Sequence, residues 1–297
     1  MLLEKPSAAA PATEASRWQA FISLDVAMTP RGSVLKRARH QGPLYIQKAF
    51  YPEGKSHPHL YILHPPGGMV SGDHLSIQVN VDQNAGCLVT TPGAGRVYRA
   101  RPDRLTQYQT VELNVEQDGL MEWMPLENIV FNDAHANLKT EIKLADGAQV
   151  IAWDVTCLGL PARKEPFTNG SLSQGFNIYQ QGRLVLREVL RVNDKNRQIM
   201  ASKAGLDHQD VNGLMVAGPW PEGVPEEVMP ALQACCDDWQ QKEGNLAAGA
   251  SDVDGFLTIR CVGVCSERAR FLFTDCWQIL RPALTGKPAC KPRIWAT

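Results

Sequence analysis

The sequence predicts a mainly β protein: a single large domain of stacked, coiled β-sheets, β-helix-like in plan, with two α-helices in its C-terminal half. Three observations predict it. Apolar and polar residues alternate with period 2 over most of the chain, turn dipeptides recur at short spacing, and helical periodicity is confined to two late segments. Leu75, Ile77, Val79 and Val81 alternate with Ser76, Gln78, Asn80 and Asp82. Val111, Leu113 and Val115 alternate with Glu112, Asn114 and Glu116, and Leu138, Thr140, Ile142 and Leu144 with Lys139, Glu141 and Lys143. Each set marks a strand with one face in a core and one in water. Further strands are read over 18–28, 43–50, 60–63, 86–91, 119–124, 148–158, 174–180, 183–193, 211–217 and 256–262. Asp118-Gly119, Asp146-Gly147 and Gln181-Gly182 turn the chain between some of them.

The first helix is expected near 225–242. Pro225 with Glu226 and Glu227 has the chemistry of a helix N-terminus, and Met229, Leu232, Cys235, Cys236 and Trp239 follow at helical spacing before Gly244. The second covers 266–281, with Ser266 as N-cap and Leu272, Phe273, Cys276, Trp277, Ile279 and Leu280 forming a broad apolar face. Gly249 to Gly255 reads as a polar linker. Residues 1–16, rich in Ala and Pro, read as a disordered tail, and 17–297 as one domain.

Charge narrows the function. Thirty Lys plus Arg against thirty-one Asp plus Glu leave a net charge of -1, so the chain has no electrostatic footprint for nucleic acid or an anionic membrane. Glu4, Lys5 and Pro6 interrupt what a secretory apolar run would need, which makes the protein cytoplasmic on this reading. Eight cysteines without a CxxC pair are expected to be reduced and mostly in the core.

Chemistry-bearing residues concentrate at the loop HPPGGMVSGD. Pro65 and Pro66 remove backbone donors and Gly67, Gly68 and Gly72 permit turn conformations, so this is a stiff loop displaying His64, Asp73 and His74 between two strands. His57 and His59 precede it as an imidazole pair, read as exposed loop histidines before metal ligands. Glu127, Asp154, Cys157 and Glu165 are polar groups near strongly apolar sequence. A buried carboxylate needs a partner, so any of these found inside would be functional or ion-paired. No GxSxG, GxxxxGK[ST] or HExxH motif occurs. An enzyme reading therefore rests on His64, Asp73 and His74 as metal ligands of a β-rich hydrolase or isomerase.

Five segments carry a resemblance. HLYILHPPGGMVSGDHLSI, LVTTPGAGRVYRA, LMEWMPLENIVFNDAHA, IAWDVTCLGLPARKEPFTNGSL and ILRPALTGKPACKPRIWAT occur in the order of the motif series of the UreD (UreH) urease accessory proteins. The resemblance implies a non-enzymatic maturation factor, a β-stack with two helices that binds UreF, recruits the GTPase UreG through it, and docks on apo-urease for nickel insertion. It implies no permanently bound cofactor, with nickel in transit through an internal water-filled tunnel. Ions in transit need ligands that release them, which favours carboxylates: Asp73, Glu127, Asp154 and Glu165 first, then His64, His74 and Cys157. Leu160 stands where the family usually has a basic residue and Lys164 where it usually has Gly. At the C-terminus Arg293, Ile294 and Trp295 are expected to bind a partner, with Trp295 anchoring the tail.

Overall fold

Alternation along the chain becomes alternation between two stacked sheets. The computed structural model describes residues 17–296, so the 1–16 tail lies outside the described residues. The strands are β1 (Gln19–Thr29), β2 (Gly32–Gln41), β3 (Tyr45–Ile46), β4 (His59–Leu63), β5 (His74–Val81), β6 (Gly86–Thr90), β7 (Gly95–Val97), β8 (Gln107–Val115) and β9 (Leu120–Met124). Then come β10 (Asn128–Val130), β11 (His135–Leu144), β12 (Gln149–Leu160), β13 (Glu165–Pro166), β14 (Ser171–Gln180), β15 (Arg183–Val192) and β16 (Val211–Gly218). Helix α1 (Val228–Lys242), β17 (Leu246–Val253), β18 (Phe256–Gly263) and α2 (Ser266–Thr285) follow. The seven-stranded sheet runs β15-β14-β11-β8-β5-β1-β2, and the path of the eleven-stranded one runs β17-β18-β16-β12-β9-β6-β4-β3. Strands β4, β6, β9 and β12 pair in parallel in one sheet while β5, β8, β11 and β14 do so in the other. The chain therefore coils between the sheets, advancing one strand at each crossing.

Period-2 side chains stack into rows across this coil. Leu24, Val79, Leu113, Ile142, Ile178 and Leu186 are in register on neighbouring strands, and all are buried between the sheets. Each such side chain stabilises the fold by about 1.5–3 kcal/mol before entropy is subtracted. The opposite face of the same strands is wetter, and amides satisfy it. Asn80 Nδ2 donates to Asp25 Oδ1 at 2.7 Å, and Asn114 Nδ2 donates to Asn80 Oδ1 at 2.9 Å. Strand β12 is covered on both faces: Val150 and Ala152 join the inter-sheet core, whereas Ile151, Trp153 and Val155 join a second core under the helices. There Leu232 and Cys236 of α1 meet Leu272, Phe273, Trp277 and Leu280 of α2.

Several expectations need correcting. Gly249 to Gly255 is not a linker but the body of β17 and its turn, paired antiparallel with β18. Its Ala, Gly and Ser residues lack β propensity, and the turn at Asp254-Gly255, with φ of 52° and 80°, sets its register. The 43–50 strand shrinks to Tyr45–Ile46. The unpredicted β2 is an edge strand whose polar residues hide its period. Helix α1 starts at Val228, and α2 starts with Ser266 after Cys265 as N-cap, without a side-chain cap. It continues through Pro282 to Thr285, where Gly286 at φ 69° ends it. Among the described residues no helix is long and apolar enough to cross a membrane.

One glycine tests the coil's tightness. Gly170 has φ +94°, and a Cβ there would lie 2.2 Å from the Ala134 carbonyl oxygen, while Gly175 in β14 has open space. Gly170→Ala should cost about 1–3 kcal/mol. Gly175→Ala should change stability little, and urea denaturation of the two variants checks the contrast.

Candidate functional site

Polar side chains of both sheets meet in the inter-sheet core beside β11, β12 and β14. Two rows from the apolar one, Gln109 and Gln174 flank Leu138, and in the row between, Thr140 and Glu188 flank Phe176. Opposite them β12 turns Asp154 and Thr156 toward the coil. Thr140 Oγ1 donates to Asp154 Oδ2 at 3.1 Å, and Thr156 Oγ1 donates to Gln174 Oε1 at 3.0 Å, so two hydrogen bonds cross from sheet to sheet. A cavity of about 200 Å³ opens beside them, lined by Asp154, Gln174, Glu188, Asn212 and Arg260 among others. A second cavity of about 220 Å³ lies between the sheets at His64, Gln109 and Asn128. Spaces of this size and polarity hold several waters. Gln109 and Thr140 lie in adjoining rows between the two cavities, beside the apolar Leu138 and Val111, and the hydrogen-bonded group of Thr140, Asp154, Thr156 and Gln174 forms a polar seam in the core.

Burial pushes the Asp154 carboxyl up from 3.8 to about 7, because a carboxylate there loses its hydration. The Thr140 hydrogen bond opposes the rise, as does the Trp123 indole, although Trp123 Nε1 makes no hydrogen bond of good geometry. Glu188 and Arg260 pair with each other across the same cavity.

The other expected site residues are dispersed. Asp73 organises its loop: its carboxylate accepts from the backbone N–H of Trp18 at 3.0 Å and of Val70 at 2.9 Å. His64 faces the second cavity, and burial lowers its pKa against the pull of Asp73. His74 lies in a separate surface cleft with Tyr108, its ring 5.7 Å from the tyrosine ring. Glu127 pairs with Arg270 of α2 at 3.0 Å, and Cys157 lies in the helix-side core, where burial raises its thiol to about 12. Glu165 is exposed, 3.6 Å from Arg163. In the loop, Gly67 and Gly72 take φ of 73° and 83°, and a Cβ on Gly68 would meet Tyr98 at 2.5 Å. Pro65 and Pro66 form the turn closed by the Gly67 N–H donating to the His64 carbonyl at 2.8 Å. Trp295 rests against Trp153 and Trp277, its indole donating to Thr90 Oγ1 at 2.9 Å, with Arg293 and Ile294 beside Tyr61.

Sequence reasoning missed a charged cluster behind the tail. His57 and His59 are not exposed loop residues; both are fully buried. His57 Nε2 lies 2.7 Å from Glu122 Oε2, and His59 Nε2 lies 2.8 Å from Glu53 Oε1. Arg281 of α2 is fully buried between those carboxylates, with Nε at 3.0 Å from Glu122 and Nη1 at 2.7 Å from Glu53. The Trp277 indole donates to Glu122 at 2.7 Å, and Arg281 also donates to the Pro288 carbonyl. Burial would raise Glu53, but the His59 hydrogen bond and the Arg281 guanidinium outweigh it and hold that carboxyl at about 2. Glu122 is likewise held low against its own burial, by His57 and Arg281. The available signal was a lone charge in an apolar run: Glu122 within LMEWM, Arg281 after Ile279 and Leu280.

Fold and site together define a two-sheet coil with a polar seam, backed by two helices and a docked C-terminal tail. A sequence model described as "UreD urease accessory protein" matches residues 19–296. The chain is 46% identical over 293 residues to the urease accessory protein UreD of Marinomonas sp. (strain MWYL1), covering 97% of this chain and 92% of that protein. It is 37% identical to the UreD of Methylobacillus flagellatus, covering 95% of each chain, and 35% identical to that of Hahella chejuensis, covering 96% and 92%. This chain belongs to the UreD urease accessory protein family.

The seam makes a pH prediction. The folded protein holds the Asp154 proton more tightly than the unfolded chain, so this group's contribution is most favourable below about pH 4 and is lost as pH rises through about 7. The rise from 3.8 to about 7 corresponds to at most about 4 kcal/mol. Asp154→Asn should stabilise the protein by about 1–3 kcal/mol at pH 8 and by almost nothing at pH 4. Denaturant melts at the two pH values check the difference.

Proposed function

We infer that this protein serves urease maturation as a non-catalytic scaffold in the cytoplasm. It binds UreF, reaches UreG through UreF, and docks the assembly on apo-urease. Nickel, the cargo, passes through the seam between the two cavities. Family membership supports the setting, and the observation that carries the route is the polar seam crossing an otherwise apolar core. Asp154 is suited to such a passage. Its carboxyl sits near the midpoint of its titration at neutral pH, so an arriving cation displaces a weakly held proton and later gives the place back to it. His64 and Asn128 at one end and Gln174, Glu188 and Asn212 at the other offer neutral or singly charged ligands. Asp73, Glu127, Glu165, His74 and Cys157 lie away from this line, so the route proposed here uses Asp154 and His64 and leaves them aside. Arg293 and Ile294 bind a partner through the tail's outer face, while Trp295, also expected to bind a partner, packs inward and anchors that tail.

The enzyme alternative has less support. Asp73 spends its carboxylate on two backbone donors, and His64 and His74 line different cavities, so the three do not converge on an ion.

Asp154→Asn and Gln174→Leu should still co-purify with UreF and UreG while the urease matured with them carries severalfold less nickel. Pull-downs and metal analysis of the purified urease, run side by side, check this. Normal nickel in both variants would leave a scaffold without a seam route.

A further inference from the structure

The cluster behind the tail is joined by a thiol that stands outside its ion pairs, Cys290. Glu53, His59 and Cys290 come from the segment before β4, from β4 itself and from the C-terminal tail, and one ligand atom from each lies within 4.8 Å of the others. Among the described residues no other three such groups converge as closely. The fold fixes each of them. His59 exchanges backbone hydrogen bonds with Phe50, at 2.8 and 3.0 Å. Cys290 follows Pro288, whose carbonyl receives Arg281, and precedes Trp295 on Thr90. His59 is fully buried; its Nε2 lies 2.8 Å from Glu53 Oε1, and its other ring nitrogen, Nδ1, has no hydrogen-bond partner. Cys290 is a free, half-buried thiol, which gives the group a path to solvent.

We propose that Glu53, His59 and Cys290 bind one borderline divalent transition cation, such as Zn2+ or Ni2+. A thiolate, an imidazole and a carboxylate form the mixed donor set that such cations prefer over Mg2+ or Ca2+. In a tetrahedral shell these donors stand roughly 3–4 Å apart, so His59 and Glu53, now 2.8 Å apart, open slightly, and no donor pair, all within 4.8 Å, closes by more than on the order of 1–2 Å. A fourth position is left for water or for a ligand from a partner. Binding releases the Cys290 thiol proton to solvent, and the two anionic donors then match the cation's charge. Arg281 keeps Glu122 as its own counterion at 3.0 Å. Its guanidinium, 2.7 Å from Glu53, weakens the hold on the cation and makes it exchangeable. The site lies apart from the inter-sheet seam, and the inference does not depend on nickel using that seam.

The test uses the full-length chain and Co2+ as probe. One equivalent of Co2+ should produce a thiolate-to-metal charge-transfer band in the near ultraviolet. Cys290→Ser should lose the band and bind at least about tenfold more weakly, while Cys265→Ser keeps both. A second readout needs no variant: Zn2+, and not Mg2+, should slow alkylation of Cys290 at least about tenfold, followed by peptide mass spectrometry. A band that survives in Cys290→Ser, the lack of any band in the unmodified chain, or Zn2+-independent alkylation would each overturn the proposal.

Discussion

The fully buried guanidinium of Arg281 is the constraint around which the C-terminal half is organised. An arginine cannot discard its charge, so burial obliges the fold to bring carboxylates to it. Glu122 comes from β9 in the middle of the eleven-stranded sheet, Glu53 from the segment before β4, and the Pro288 carbonyl from the tail. His57 and Trp277 then occupy the remaining faces of Glu122. Segments up to 228 residues apart in sequence are thereby fixed at one point. Such a pair adds little net stability over an apolar core, but removing one partner strands the other charge and costs about 3–5 kcal/mol. Its effect is to give helix α2 and the tail a single docking position on the coil.

The coil itself follows a different logic. Its rows of Val, Leu and Ile need only the correct period, and apolar burial does the rest. The seam breaks that rule where Thr140, Asp154, Thr156 and Gln174 meet. Each has a partner in the opposite sheet, which keeps the cost of burying them tolerable. Asp154 is the seam group whose burial costs stability at neutral pH, because its carboxylate loses hydration there.

Much of this was legible in the sequence where one face is wet. Strands β5, β8 and β11 announce themselves because water imposes a polar residue at every second position. Strand β12, buried on both faces, was legible as an apolar run, and Asp154 stood out within it. The edge strand β2 and the Ala-rich β17 were not, since neither carries the contrast that periodicity needs. Lys164 takes φ 58°, the left-handed region in which the glycine implied by the resemblance would sit without strain. The Glu122–Arg281 pair was visible as two lone charges in apolar sequence. Their partnership was not, because no local pattern connects positions 159 residues apart.

A double-mutant cycle on that pair tests the account most directly, with unfolding free energies from urea titration of the parent, Glu122→Gln, Arg281→Met and the double variant. Each single change should cost about 3–5 kcal/mol, and the double variant should lose at least about 2 kcal/mol less than their sum, because Glu122 is then not left as an unpaired charge, while the loss of Glu53's guanidinium is common to both Arg281 variants and cancels in the cycle. Losses that add, or single losses below about 1 kcal/mol, would show that helix and tail dock without the buried pair.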